Sequence, residues 1–186
     1  MENLYSFNMF NEYAKNGIAQ SLLKCNSNNK KPIIVCVGSD LVLGDSLGPL
    51  VGTFLRKNNF DAFVYGTLNC PITAKEVSYA KDYLKIMHPN SVVIAIDAAV
   101  GDAEDVGVVK IIDKGLKPGL GLNKNLGVLG DISIIGVVAT KSVKNYNLFN
   151  LTRLNLVYKM AEVISEGIMD YVKSAFINFG EKKYGA

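Results

Sequence analysis

Residues 36–49 read CVGSDLVLGDSLGP, and this stretch decides the fold. Just before and into it, Ile33–Val37 is an unbroken apolar run. Such a run fits a central parallel strand buried on both faces. Gly38 stops it, a polar turn follows, and Gly44-Asp45-Ser46 opens an apolar-periodic segment that reaches Lys57. Leu47, Leu50, Val51, Phe54 and Leu55 fall on one face of a helix there. Pro49 lies in its first turn, where a missing N–H costs little. Either Asp45 or Ser46 can serve as the N-cap. A strand–loop–helix of this kind places Asp45 in the crevice beyond the strand's carboxyl end, where open α/β sheets bind ligands.

The alternation continues along the chain. Phe63–Tyr65 is a short second strand, and Gly66–Pro71 the loop at its carboxyl end. Thr73 opens a helix to Met87, with Glu76 at the capping-box spacing. Ser91–Ile96 is a third strand that ends in Asp97, and Val106–Ile112 a fourth. The short connection between them leaves no room for a crossover helix, so antiparallel pairing is expected there. Ile132–Ala139 is a fifth strand. Upstream, Asn8–Cys25 reads as a helix behind a frayed segment 1–7. Downstream, Asn150–Phe176 reads as a long amphipathic helix, followed beyond Asn178 by a flexible tail. Lys114–Gly130, KGLKPGLGLNKNLGVLG, is too rich in glycine to be regular throughout and is read as a functional or mobile loop. The expected architecture is one three-layer α/β domain over residues 1–186, with a mostly parallel central sheet flanked by helices.

Composition excludes several classes. A chain of 186 residues suits one domain and needs no disulfide to fold. Its three cysteines, Cys25, Cys36 and Cys70, form no C-x-x-C pair, which points to a reducing compartment. A net charge of +3 spread over scattered lysines is too weak for a nucleic-acid partner. No signal peptide and no apolar run long enough to span a bilayer is present, so a cytoplasmic location off the membrane is expected. Oligomeric state stays open, a homo-oligomer included.

Asp45 and Asp97 are the candidate catalytic residues, because parallel strands converge at one sheet edge. Two carboxylates there can share a proton and activate water, or hold a cation. The simpler alternative makes Asp45 a helix cap and Asp97 a turn former. Against it, an acid ending a buried strand needs a partner, since an unpaired buried charge costs several kcal/mol. Gly38, Asp40, Asn69, Asp131 and Arg153 are the expected substrate contacts. For Asp40 and Asp131 the plainer reading is a solvated loop acid, and for Arg153 a surface arginine rather than a clamp on a substrate carboxylate. The loop is neither G-x-G-x-x-G nor a phosphate-binding loop with G-K-[ST]. His88, the single histidine, precedes Pro89 at a helix end, so a Ser-His-Asp triad has no base. Cys70 is read as a passive thiol and Cys36 as core. No cofactor is expected, with a metal at Asp45 and Asp97 as the alternative.

CVGSDLVLGDSLGP followed by VVIAIDA resembles the germination protease family of spore-forming bacteria. GDSLGPLVGT, GTLNCP, VIAIDAAVG, GDISIIGVV and NLTRLNLVYKMAEVI resemble, more closely, the YyaC-type sporulation proteins, smaller relatives of that protease. The resemblance implies a phosphorylase/hydrolase-like fold and a peptidase that cuts spore proteins through Asp45 and Asp97 inside the forespore or spore core. The fold is also similar to that of hydrogenase-maturation endopeptidases, whose acids at the positions of Asp45 and Asp97 bind a metal together with a histidine. No histidine follows Asp97 here, which departs from that pattern. Two alternatives remain: a catalytically silent binding protein of sporulation, and a metal-dependent peptidase recruiting Asp131 or Asp40.

Overall fold

A computed structural model describes residues 4–58, 60–118, 127–141 and 152–181. Its first element corrects an expectation. Leu4–Asn8 is not frayed but forms β1, an edge strand antiparallel to β5, Val108–Ile112. Alternation explains it: Tyr5 and Phe7 turn inward against the core while Leu4, Ser6 and Asn8 face out. The chain then turns at Asn8–Asn11, with the Asn8 side chain accepting from the Phe10 N–H at 2.9 Å. The first helix, α1, therefore starts at Ala14 and runs to Cys25.

Pro32–Cys36 forms β2, buried along its whole length, as a central parallel strand should be. A single 3-10 turn, Gly44–Ser46, leads into α2, Leu47–Lys57. The remaining elements are β3 (Phe63–Tyr65), α3 (Val77–Met87), β4 (Val92–Gly101), β6 (Ile132–Thr140) and α4 (Leu154–Glu181). The strand order is β1-β5-β6-β4-β2-β3. Pairings β3–β2, β2–β4 and β4–β6 are parallel, while β5 runs antiparallel to both β6 and β1. The expected reversal at β5 is present, but its neighbour is β6 rather than β4.

Helices cover both faces. Ile18 and Leu22 of α1, Leu47, Val51 and Leu55 of α2, and Val157, Ile164 and Ile168 of α4 pack with Ile34, Ile94, Ile96 and Ile134. On the opposite face, Val77, Ala80 and Leu84 of α3 pack with Ile33, Val35 and Ala95. Leu116 and Leu129 join this second cluster and form an isolated antiparallel bridge that clamps the base of the glycine-rich loop. The middle of that loop, 119–126, lies outside the described residues, as does Asn150, the expected start of the last helix. That helix instead runs past Asn178 to Glu181, one turn into the expected tail. The α3 start also differs. Glu76 accepts from the Thr73 N–H at 3.0 Å and from its hydroxyl, so the capping pair holds the turn ahead of Val77.

Close packing of α2 on the sheet edge depends on its glycines. A Cβ on Gly52 would lie 1.9 Å from the Gly66 carbonyl oxygen. In an exposed helix, Gly→Ala gains up to about 1 kcal/mol. Here the sign reverses, because the obstacle is backbone and overpacking costs about 1–3 kcal/mol. Gly52→Ala is therefore expected to lower the urea midpoint, and a variant as stable as the parent would contradict this packing.

Candidate active site

The site is built where β2 ends and β4 does not. Ladder pairing between the two stops at Cys36–Ile96, and a last bond runs from the Val37 N–H to the Ile96 carbonyl at 2.8 Å. Gly38 then takes φ +140 and donates its N–H to the Ile72 carbonyl at 2.9 Å. Only glycine fits here: a Cβ would stand 2.0 Å from the Asp45 carbonyl oxygen. That carbonyl accepts from the Ser39 N–H at 3.1 Å, closing residues 39–45 into a compact loop. Asp45 sits in the middle of the 3-10 turn, not at a cap position, and no side-chain cap bond starts α2. Ser46 does stand at the N-cap position of α2, but its hydroxyl donates back to the Leu43 carbonyl at 2.6 Å rather than capping the helix.

Asp97 is not at a strand tip. Strand β4 runs ten residues, and Asp97 is its sixth, paired with Ile135 of β6. Its Oδ1 accepts from the Ala98 N–H at 2.9 Å. The residue keeps part of its surface open, while dense packing strips hydration from the carboxyl. Burial pushes that carboxyl up to about 8; the Asp45 charge adds to the rise and the Ala98 N–H opposes it. Burial also raises Asp45 above the usual carboxylate range, against the Ser39 N–H. The charge of Asp45 thus reaches Asp97 from a segment far away in sequence.

The other expected contacts scatter. Gly38 shapes the Asp45 loop from its backbone, and Asp40 is exposed in that same loop. Asn69 is exposed in the tight turn after β3 that closes through reciprocal Thr67–Cys70 main-chain bonds of 3.0 and 3.2 Å. Parallel pairing of β3 with β2 puts this turn at the carboxyl edge of the sheet. Arg153 is exposed just before α4, where its carbonyl accepts from the Leu156 and Val157 N–H groups. Asp131 is elsewhere: it precedes β6 at the amino edge of the sheet. It clamps Val93 by accepting from the Val93 N–H at 2.8 Å and donating its own N–H to the Val93 carbonyl at 2.7 Å. The expectation that Asp131 lines the crevice is thereby corrected; it braces the far end of the strand that carries Asp97. His88 is at that far end too, hydrogen-bonded through Nε2 to the Tyr65 hydroxyl at 2.7 Å. Cys36 is fully buried, as a core residue, and Cys70 is exposed.

Sequence reading missed the main-chain groups of Ser39, Ile72 and Ala98, which have no side-chain signature. One signal was available: VVIAIDAAVG carries one charge in ten residues, more like a continuing strand than a turn. Among the described residues no group of three or more His, Cys, Asp and Glu is placed to hold a cation. Among the described residues, too, no helix is long and apolar enough to cross a membrane.

Comparison with known proteins follows the same lines. Residues 6–167 match the family described as "Protein of unknown function (DUF1256)". The chain is 44% identical over 140 residues to the "Uncharacterized protein YyaC" of Bacillus subtilis (strain 168), covering 74% of this chain and 68% of that one. Among solved structures it is similar to the [NiFe] hydrogenase maturation protease HycI from Thermococcus kodakarensis KOD1. That match has a TM-score of 0.50 and 18% identity, over 82% of this chain and 99% of the other. At that identity the likeness concerns the fold alone: a mostly parallel α/β sheet flanked by helices.

Proposed function

The chain belongs to the DUF1256 family, and from that premise we propose that it is a peptidase whose catalytic pair is Asp45 and Asp97. One observation supports the reading: the charge of Asp45 adds to the burial that raises the Asp97 carboxyl, as expected of two acids near enough to act together. The fold the chain shares with a hydrogenase maturation protease and the motifs by which its sequence resembles the germination protease support it.

The chemistry follows from the unequal environments. Asp97 is pushed up to about 8 and holds its proton near neutral pH, which leaves Asp45, raised by burial but not by a neighbouring charge, the role of base. Because Asp97 Oδ1 already accepts the Ala98 N–H, the proton belongs on Oδ2. Asp45 takes a proton from water as its oxygen adds to the scissile carbonyl carbon. Asp97 donates its proton to the carbonyl oxygen as that oxygen gains charge. Collapse of the tetrahedral intermediate breaks the C–N bond, the amine leaves with the proton held by Asp45, and Asp97 recovers its own. No step requires a histidine.

The proposed substrates are proteins of the spore, met in the forespore or spore core. The test incubates the protein with a spore extract and reads new peptide N-termini by mass spectrometry. New N-termini are expected with the native chain and absent with Asp45→Asn/Asp97→Asn; identical sets from both would overturn the assignment.

A further inference from the structure

The crevice holds a second feature that the two acids do not use. In β4 the even-numbered residues turn their main-chain groups toward β2: the Val92 N–H donates to the Lys31 carbonyl at 3.0 Å, and the Ile96 carbonyl accepts from Val37 at 2.8 Å. The odd-numbered residues turn toward β6: the Val93 carbonyl accepts from Asp131, and the Gly101 carbonyl from Lys141, both at 2.7 Å. Parallel strands alternate in this way along their length. Ala98 and Val100 therefore continue the even series, facing the line of β2. Yet β2 has already ended, because Gly38 turns the chain aside. The bulge between Ala99 and Val100 does not change this, since Gly101 still faces β6.

The Ala98 N–H is taken by the Asp97 carboxylate. The Ala98 carbonyl, the Val100 N–H and the Val100 carbonyl have no hydrogen-bond partner among the described residues. An acceptor, a donor and an acceptor thus stand in a row inside a strand that is paired on its other side. Main-chain groups in such a strand are normally satisfied, and a row of them is the template onto which an extended chain adds. The row begins one residue from Asp97.

We infer that residues 98–100 of β4 are the docking edge for the substrate, an extended peptide that lies where β2 would have continued and hydrogen-bonds to Ala98 and Val100. The occupant is fixed by the chemistry of the row, since alternating acceptor and donor at strand spacing is matched by peptide main chain. Strand addition draws its affinity from main-chain bonds and leaves side chains to set preference. The peptide is thereby carried along β4 past Asp97, with its carbonyls presented to the acid pair. This inference rests on the peptidase reading, and it adds where and in what conformation the substrate binds.

The test uses the full-length Asp97→Asn protein, which binds without cutting, and a biotinylated library of decapeptides randomised at every position. In the free protein the Val100 amide is expected to exchange faster than those of Asp97 and Ala99, which face β6. Loading with the library should slow exchange at Val100 by at least about ten-fold, the scale of one main-chain hydrogen bond. Adding Val100→Pro, which removes the N–H on the open side and leaves the β6 ladder intact, should cut library retention by a similar factor. A Val100 amide already protected in the free protein, or unchanged on loading, overturns the docking edge; so does a proline variant that retains the library fully, or the absence of any retention. The two readings fail separately. Full cleavage by Val100→Pro beside inactive Asp97→Asn removes the docking edge and spares the acid pair, whereas full cleavage by Asp97→Asn removes the acid pair itself.

Discussion

Asp45→Asn and Asp97→Asn are each expected to lower kcat/KM for peptide cleavage by about 10²–10⁴-fold, the usual range for a positioned acid or base. The two substitutions fail for different reasons. Asparagine at 45 cannot take the proton of water. Asparagine at 97 keeps a hydrogen-bond donor but cannot surrender a proton to the carbonyl oxygen. Because the acids act as one unit, the double variant should fall little below either single one. Folding should survive, since asparagine is close in shape to the protonated Asp97 that the buried site already favours. Steady-state kinetics on a substrate found in spore extract, with far-UV circular dichroism as the control, measure both parts. Either variant cutting at the parent rate would show that its carboxyl is not in the mechanism, and additive losses would show that the two acids work apart.

Stability should fall with pH between about 4 and 8, with Asp97 as the cause. The Asp97 carboxyl titrates at about 8 in the folded protein and near 3.9 when unfolded. Between those values the folded chain holds a proton that the unfolded chain has released, so the unfolding free energy decreases as pH rises. The contribution is fully present below the lower value and gone above the upper one. It amounts to about 5 kcal/mol, or about 10–20 °C in Tm for a chain of this size. Asp97→Asn removes the larger part of the slope, leaving the smaller contribution of Asp45, and should be more stable than the parent at pH 9. Cleavage should decline only as pH rises through about 8, where folded Asp97 loses the proton it donates. Thermal melts across pH decide the point: parallel curves for parent and variant would place the pH dependence elsewhere.

The covered strands were the most legible part of the fold. Ile33–Val37 and Val92–Ile96 are apolar on successive residues, the pattern of a strand covered on both faces. Elements set by tertiary contact were less so. The five residues of β1 carry too little alternation to stand out and become a strand because β5 offers them an edge. The length of β4 was hidden for a related reason: one aspartate in an apolar run resembles a terminator, whereas β6 pairs with the strand on past it to Gly101. Asp131 and Arg153 illustrate the limit for the site. Both are polar residues beside a strand or helix, and nothing local tells which end of the sheet each reaches. Strand direction and order decide it, and they send Asp131 to the Val93 end.

By itself, then, the sequence determined a mostly parallel α/β layout, the loop that carries Asp45, and the two acids worth weighing. These follow from local causes: apolar periodicity, glycine punctuation and the rarity of a charge inside an apolar strand. The tertiary structure alone decided that the Asp45 charge reaches Asp97, that Asp97 sits within β4 and is raised by burial, and that among the described residues β2 does not pair with β4 beyond Ile96. Those properties depend on where one strand stops against its neighbour. Pairing across the sheet sets that, and no stretch of sequence carries it alone.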